Sequence, residues 1–340
     1  MDSISQIVLG AAVAEASLGK KVGNKAALWG AIAGTVPDLD VIGVFFLDTV
    51  NELIFHRGFT HSIVFSLFFA PILGWLIFKI YPKENASQKD WTLMSFLSLI
   101  THPILDCFTT WGTQLFWPFD YRVAWSSVFV IDPLYTLPFA ILLVTSLCFK
   151  RESLWRFRLN VTGLVVSTTF LGVTLLNKGL MKSAFEKEAE RQNIPVLDIE
   201  VRPAPLQNIL WTANMETEKG YFIGYRSFLD QIDDIEFHYF PKNEILLQPY
   251  KSNEELQRLL SMTKGWYTVT QQDSSHFAIN DLRLGLVDGL GRSNDDFVFS
   301  YTMTVGEGEE LTFEQVKYKF GKDVRREMIS QLWTRIRGHK

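Results

Sequence analysis

The first half of the chain alternates long apolar stretches with short polar ones, and the pattern changes near residue 180. The apolar stretches predict membrane segments at about Ile4–Leu18, Ala26–Leu47, Ser62–Tyr81, Trp91–Thr109, Val128–Phe149 and Asn160–Leu176. Ser62–Tyr81 is almost purely apolar and long enough to cross a hydrocarbon core of roughly 30 Å. The first stretch is short and could be tilted or re-entrant. We therefore predict a polytopic α-helical membrane protein with about five to six membrane segments, formed by residues 1–180.

Residues 181–340 carry the charge density of an ordinary soluble protein and predict a second domain that is α+β and rich in strands. Alternating apolar and polar positions indicate antiparallel strands at Val196–Val201, Ile209–Glu216, Tyr221–Ser227, Ile235–Tyr239, Trp266–Thr270, Phe277–Leu284 and Phe297–Val305. The sequence predicts helices at Lys182–Arg191, Asn253–Met262 and Phe313–Arg337.

The basic residues of the first half cluster in three loops, which six crossings would place on one side of the membrane. They are Lys20, Lys21, Lys25, Lys83, Lys89, Lys150, Arg151, Arg156 and Arg158. The positive-inside rule assigns that side to the cytoplasm, so residues 181–340 are expected outside it. The net charge of -4 and the lack of a basic stripe give no indication of nucleic-acid binding. Membrane lipid is the partner that this composition predicts.

Three short polar motifs interrupt the apolar half, at residues 37–40, 56–62 and 101–106. Ionisable groups at membrane depth cost roughly 2.5–3.5 kcal/mol each on insertion, so they usually face a partner or a cavity. On the predicted topology all three motifs lie at the outer face. We predict that they form one metal site from Asp38, Asp40, His56, His61, His102 and Asp106.

The spacing within the motifs supports a shared centre. His102 and Asp106 lie four positions apart, which places them on one face of a helix. Gly58 permits a tight turn, so the two histidines of its motif could reach the same point from opposite sides. Taken singly, each motif also fits a hydrogen-bonded helix contact or a helix end. Imidazole and carboxylate together suit zinc, with manganese and iron as alternatives.

A metal site of this kind predicts a hydrolase of the phospholipase or phosphoesterase type. A bound metal acidifies water and polarises a phosphoryl or carbonyl oxygen. Asp38 or Asp40 could act as the general base, and Arg57 could bind an anionic group of the substrate. The expected substrate is a lipid or a lipid-linked (phospho)ester at the outer membrane face. Glu15, within the first apolar stretch, is a further candidate partner of the site.

Two other functions remain open on the sequence. A metal-ion transporter would need polar residues through the membrane, and the third and sixth apolar stretches contain almost none. A non-catalytic envelope scaffold would hold a structural metal with a complete set of protein ligands.

On these motifs the chain resembles the LexA-binding, inner-membrane-associated family of metal-dependent hydrolases. The matching pieces are the opening Met1–Gln6, the segment 10–12, the three motifs, and the segments 111–114 and 118–119. The resemblance covers roughly residues 1–180 and implies a multi-pass protein of the bacterial inner membrane that hydrolyses phospholipids. Its relatives carry a histidine near the N-terminus where this chain has Gln6, which leaves open whether Gln6 or Glu15 completes the site.

Overall fold

The computed structural model describes residues 1–231, 234–287, 296–306, 310–318 and 321–338. The chain divides into two compact units. The first comprises Met1–Phe46 and Ile54–Leu175, and the second comprises Leu47–Leu53 and Leu176–Lys340.

Helices form the N-terminal half of the chain. They are α1 (Ser3–Val22), α2 (Asn24–Thr35), α3 (Thr49–Phe55), α4 (Ile63–Ile80), α5 (Gln88–Asp106), α6 (Pro133–Leu147) and α7 (Leu154–Arg191), with 3-10 turns at Pro37–Phe46 and Phe59–His61. Short polar side chains accept hydrogen bonds from the first free N–H groups of four helices. These capping residues are Asp2, Ser62, Ser87 and Asp132.

Helices α1 and α2 approach each other to backbone contact. A Cβ atom built on Gly10 would lie 2.3 Å from the carbonyl oxygen of Gly30, which leaves no room for a side chain. One built on Gly34 would lie 2.7 Å from the carbonyl oxygen of Gln6. This approach fixes the end of α2, including the Gly34 carbonyl, against the helices that carry the polar motifs.

The prediction of five to six membrane segments is wrong. Among the described residues, two helices are long and apolar enough to cross a membrane, α4 and α7. Helix α2 has only 12 residues and α6 only 15, which is short of the roughly 20 that a span needs. Helix α1 buries glycine, alanine and polar side chains within the unit, and α5 carries polar residues along its length. In α1, the small residues Gly10 and Ala14 serve close packing against Gly30 of α2.

The two candidate spans turn most of their apolar side chains outward. Only 28% of the apolar window of α4 and 22% of that of α7 are buried. A core helix of a soluble protein would bury most of such a stretch. The exposed apolar faces of α4 and α7 are therefore suited to contact with lipid.

The second unit contains two four-stranded antiparallel sheets within the described residues. The first sheet has the order β1-β2-β3-β4, formed by Asp198–Pro203, Leu210–Glu216, Gly220–Ser227 and Phe237–Pro241. The second has the order β5-β6-β7-β8, formed by Tyr267–Gln271, His276–Leu286, Phe297–Val305 and Leu311–Gln315. Helices α8 (Glu254–Met262) and α9 (Lys322–Ile336) and a 3-10 turn at Glu244–Tyr250 complete it.

The helix predicted from Phe313 begins later than expected, because β8 occupies the first part of that stretch and pairs with β7. The C-terminal part of α7 packs its buried Met181, Phe185 and Ala189 against the first sheet, where Val201 and Trp211 are fully buried. The second unit thus has a hydrophobic core of its own.

Candidate metal site

Four side chains meet at one point of the first unit. They are Asp38, His61, His102 and Asp106, and one nitrogen or oxygen from each lies within 4.8 Å of all the others. His61, His102 and Asp106 are buried, whereas the side chain of Asp38 is 27% exposed. The cluster is therefore closed on most sides and open beside Asp38.

Local sequence places each of these residues. Pro37 opens the 3-10 segment directly after α2, which puts Asp38 in its first turn. His61 is the last residue of a 3-10 turn, and Ser62 then caps α4. His102 and Asp106 lie one turn apart on α5, as their spacing predicts. The left-handed residue of the motif at 56–62 is Arg57, with φ of 59°, and not Gly58.

Five of the six donor–donor distances within the cluster are close to the edges of a coordination tetrahedron. The Nε2 atoms of His61 and His102 are 3.1 Å apart, and each lies 3.3 Å from Oδ1 of Asp38. The Oδ2 atom of Asp106 lies 3.5 Å from the first and 3.7 Å from the second. A tetrahedral zinc ion with bonds of about 2.05 Å separates its ligands by about 3.3 Å. Both histidine nitrogens therefore have the separation from each other and from the two carboxylates that one ion requires, and the two carboxylate oxygens lie within 4.8 Å of each other.

Both histidines direct a lone pair into the cluster. His102 donates its Nδ1–H to the carbonyl oxygen of Gly34 over 2.6 Å, which leaves its Nε2 as an acceptor. His61 directs its Nδ1 toward the Thr60 hydroxyl at 3.1 Å and the Asp40 carboxylate at 3.4 Å. Two imidazole lone pairs 3.1 Å apart repel each other unless a cation or a proton lies between them.

Asp40 and His56 lie outside the group of four. Asp40 accepts hydrogen bonds from the His56 ring at 3.0 Å, the Arg57 backbone N–H at 3.0 Å and the Thr60 hydroxyl at 3.1 Å. These hydrogen bonds hold the loop in place, and the contact of Asp40 with Nδ1 of His61 at 3.4 Å holds that ring. The ring of His56 is centred 5.8 Å from that of His61 and contacts Asp40.

Asp106 also contacts several hydrogen-bond donors that lie outside the group of four. Gln6 donates its Nε2–H to Oδ1 at 2.9 Å, and the amino group of Met1 also contacts this atom. Arg57 is buried, with its Nε 3.3 Å from Oδ2 and its Nη1 donating to the Thr109 hydroxyl. The guanidinium expected to bind substrate therefore pairs with Asp106.

Charge in the cluster favours a cation. Burial raises the pKa of Asp106, but the positive groups around it, Arg57 foremost, outweigh burial and leave the pKa well below its ordinary value. Burial lowers the pKa of His61, yet its hydrogen bonds to Asp38 and Asp40 and the charge of Asp106 raise it above the ordinary value. The carboxylates are therefore ionised, and the site attracts positive charge to the imidazoles.

The residues present fit a divalent metal ion. Two buried acceptors at the cluster accept no hydrogen bond from any described residue, Oε1 of Gln6 and Oδ2 of Asp106, and the latter forms an ion pair with Arg57 at 3.3 Å. A buried acceptor without a partner is costly unless an ion or a donor satisfies it. Two imidazole nitrogens and two carboxylate oxygens suit zinc, iron or manganese better than magnesium or calcium. The four residues could hold a metal ion, and the donor set leaves its identity open among these three.

Glu15 does not approach this cluster. Its carboxylate receives two hydrogen bonds from Arg156, at 2.6 and 2.7 Å, and both side chains are buried. The sequence left open whether Gln6 or Glu15 completes the site. Gln6 contacts Asp106 of the cluster, whereas Glu15 belongs to an ion pair elsewhere in the unit.

Sequence patterns did not predict the hydrogen bonds that hold the site residues in place. The Gly34 carbonyl orients His102, and the Thr60 and Thr109 hydroxyls contact His61 and Arg57. Thr60 is adjacent to His61 in the motif at 56–62, and this adjacency is the one signal of their contact that the sequence offers. A backbone carbonyl such as that of Gly34 leaves no signal in a sequence.

Substitution of Asp40 by asparagine is expected to lower zinc affinity by about 10–100-fold, the usual effect of losing a carboxylate that orients a metal-binding histidine. The measurement is competition with a chelating dye on the purified chain. Asp48→Asn is the matched control, because Asp48 is exposed and contacts Asn51. Equal affinities of the two variants would show that Asp40 does not orient the site.

The helical half of the chain matches a known protein family. The family described as "YdjM inner membrane protein" matches residues 1–181. "Uncharacterized protein YfhP" of Bacillus subtilis (strain 168) is 32% identical over 145 residues, which cover 39% of this chain and 42% of that protein. "Inner membrane protein YbcI" of Escherichia coli (strain K12) is 34% identical over 88 residues, covering 26% of this chain and 49% of that protein.

The chain thus matches less than half the length of each of these relatives. No solved structure matches it. The name of the Escherichia coli relative gives an inner-membrane location, and neither name gives an activity.

Proposed function

The chain belongs to the YdjM inner membrane protein family, and from this premise and the four-donor cluster we propose that it is a membrane-bound, metal-dependent hydrolase of a lipid or lipid-linked (phospho)ester. The observation that carries the proposal is the pair of Nε2 atoms of His61 and His102, 3.1 Å apart, with their Nδ1 atoms engaged elsewhere. A divalent ion in such a donor set acidifies a bound water and polarises a phosphoryl or carbonyl oxygen. Zinc is the ion that we expect.

The surrounding residues have distinct roles in this proposal. His61, His102 and Asp106 hold the ion from the buried side, and Asp40 fixes the ring of His61. Arg57 keeps Asp106 ionised through their contact at 3.3 Å. Asp38 lies on the open side, where its second carboxylate oxygen can orient water or accept a proton.

A lipid substrate is supported by the loop 111–119, which contains Trp111, Phe116, Trp117 and Phe119 and is hydrogen-bonded to the site. Gln114 donates its backbone N–H to the carbonyl of Arg57, and Ile63 donates to that of Leu115, so the loop and the histidine segment are held together. Phe59 contacts the ring of Trp117, and both are exposed. Exposed aromatic side chains are typical of the membrane interface, where a lipid ester would be presented.

Basic residues orient α4. Lys79 ends this helix, so its C-terminal end is assigned to the cytoplasm. Helix α7 has basic residues at both ends, Arg156 and Arg158 before its apolar stretch and Lys178 and Lys182 after it, and as the next span along the chain it must cross in the opposite direction. His61, before the start of α4, and the chain after α7 would then lie outside the cytoplasm. A reporter enzyme that is active only outside the cytoplasm, fused after Arg191, tests this orientation; an inactive fusion would contradict it.

A structural metal is the second candidate, because four protein donors would complete a tetrahedron and leave no open position. The partial exposure of Asp38 favours catalysis instead, since a carboxylate at an open edge can share the ion with water. The two candidates differ in what metal removal does.

The test is hydrolysis of phospholipids and lipid-linked phosphodiesters by the purified full chain in detergent. We expect turnover that a chelator abolishes and zinc restores, and turnover that stays low in Asp38→Asn even at zinc concentrations that saturate the variant. A structural metal predicts no turnover with any substrate and a fall in melting temperature on chelation. Turnover that survives chelation would contradict the proposal.

A further inference from the structure

Three segments of the second unit meet at one end of its first sheet, where β1 ends, β2 begins and β3 ends. They are the loop between β1 and β2, the segment that follows β3, and the C-terminal end of α9. Phe228 donates its backbone N–H to the carbonyl oxygen of Ile209 at 3.0 Å, which joins the first two segments. The hydroxyl of Ser227 donates to the carbonyl oxygen of Ile336 at 2.6 Å, which joins α9 to them.

This end of the sheet exposes four large apolar side chains, Leu206, Phe228, Leu229 and Trp333, which we call the apolar rim. Their exposed fractions are 42%, 43%, 52% and 55%. Single exposed apolar residues are ordinary, whereas a group of them on one surface marks a site of interaction. The guanidinium of Arg337 lies over the ring of Trp333, 5.1 Å from its centre. Tryptophan beside a basic side chain is typical of the headgroup region of a membrane.

The loop that carries Leu206 is held rigidly by its own hydrogen bonds. The side chain of Gln207 is buried and donates to the carbonyl oxygens of Ala204 and Leu210, both at 3.1 Å. It also accepts the backbone N–H of Leu210 at 2.6 Å. Leu206 itself has φ of 68°, in the left-handed region that leucine rarely adopts. A costly backbone conformation that leaves a leucine exposed is consistent with a contact outside the unit.

The rim lies at the end of the sheet that is closest to the candidate span in α7. Asn177 of α7 donates its side-chain N–H to Oδ1 of Asn208, in the same loop as Leu206, at 2.8 Å. Leu176, directly before Asn177, is 69% exposed and ends the apolar stretch of this helix. From Asn177 to Arg191 the helix rises about 21 Å farther, away from that stretch. The rim is therefore continuous with the surface of α7 that is suited to lipid.

We propose that the apolar rim inserts into the membrane surface from which α7 emerges, so that phospholipid is the partner of this end of the second unit. The four apolar side chains lie at the boundary of headgroups and acyl chains, and Arg337 lies among the phosphates. Lipid is the partner favoured here because α7 holds the rim beside the membrane in every copy of the chain. The proposal rests on the membrane location of α7 and not on the hydrolase function.

The experiment measures how closely lipid approaches a fluorescent label attached to Leu206→Cys. A Cys148→Ser background removes the exposed native cysteine. The purified full chain is placed in nanodiscs of phosphatidylcholine and phosphatidylglycerol in which part of the lipid carries a nitroxide quencher on its acyl chain. Leu197→Cys is the matched control, because Leu197 is 63% exposed and precedes the other end of β1. We expect severalfold stronger quenching at position 206 than at position 197, and equal quenching would overturn the proposal.

Phe228→Ser combined with Trp333→Ser is expected to lower the quenching at position 206 severalfold, because the rim then loses both aromatic side chains. Both residues are exposed, so the change removes no part of the core. Ile245→Ser is the control, since Ile245 is 77% exposed in the 3-10 turn after β4, at the other end of the sheet. Unchanged quenching in the double variant would overturn the role of the rim. A label that is shielded from water yet unquenched by nitroxide lipid would show that protein covers the rim and would overturn the choice of lipid.

Discussion

Replacing His61 with alanine is expected to lower the zinc affinity of the chain by more than about 100-fold, beyond the 10–100-fold typical of losing an outer contact. The substitution removes one of two imidazoles and leaves the lone pair of His102 facing two carboxylates. The measurement is metal per chain by elemental analysis after gel filtration, followed by competition with a chelating dye.

His276→Ala is the matched control for this experiment. His276 is partly exposed in the second unit and contacts Asp273 at 2.9 Å, so its loss should leave metal content unchanged. If His61→Ala retained one tightly bound metal ion, His61 would not be a ligand of that ion.

Glu15→Ala is expected to destabilise the chain by about 3–5 kcal/mol, the usual cost of removing one partner of a buried ion pair. The side chains of Glu15 and Arg156 are 5% and 4% exposed, so the remaining guanidinium has little access to water. The measurement is denaturant unfolding in detergent without added anionic lipid.

A double substitution provides the control for this ion pair. Glu15→Met combined with Arg156→Met should recover most of the lost stability, because no uncompensated charge then stays buried. Glu186→Ala, which breaks an exposed pair with Lys182, should change stability little. If Glu15→Ala were as stable as the wild-type chain, the pair would contribute nothing to the fold.

The four clustered residues were all within the set predicted from the sequence, because a histidine or aspartate in an apolar stretch needs a partner. Spacing alone could not decide whether Asp38 or Asp40 faces the cluster, because the two residues are only two positions apart. The structure places Asp40 among three donors and Asp38 beside the two imidazoles. Which carboxylate faces the cluster depends on the 3-10 geometry after Pro37, and sequence patterns do not fix that geometry.

The number of membrane segments could not be predicted because apolarity does not distinguish lipid from protein as the neighbour. Helix α1 is apolar, yet its Gly10 lies in backbone contact with Gly30 of α2. Helix α4 is apolar with most of its surface outward. The small residues of α1 were the available signal, since they permit close packing between helices.

The antiparallel strands of the second half were easier to predict, because short stretches of β-branched and aromatic residues between turn-forming residues indicate strands directly. The start of α9 was not, since β8 carries residues that also read as the beginning of a helix. Pairing with β7 decides the conformation of that stretch, and strand pairing is a contact distant in sequence.

The central claim is that His61, His102, Asp38 and Asp106 hold one divalent ion, and anomalous X-ray diffraction from the zinc-loaded full chain tests it most directly. We predict one zinc peak at about 2.0–2.2 Å from Nε2 of both histidines and from an oxygen of both aspartates. A zinc peak at another place, or no peak among these four residues in crystals grown with zinc, would contradict it.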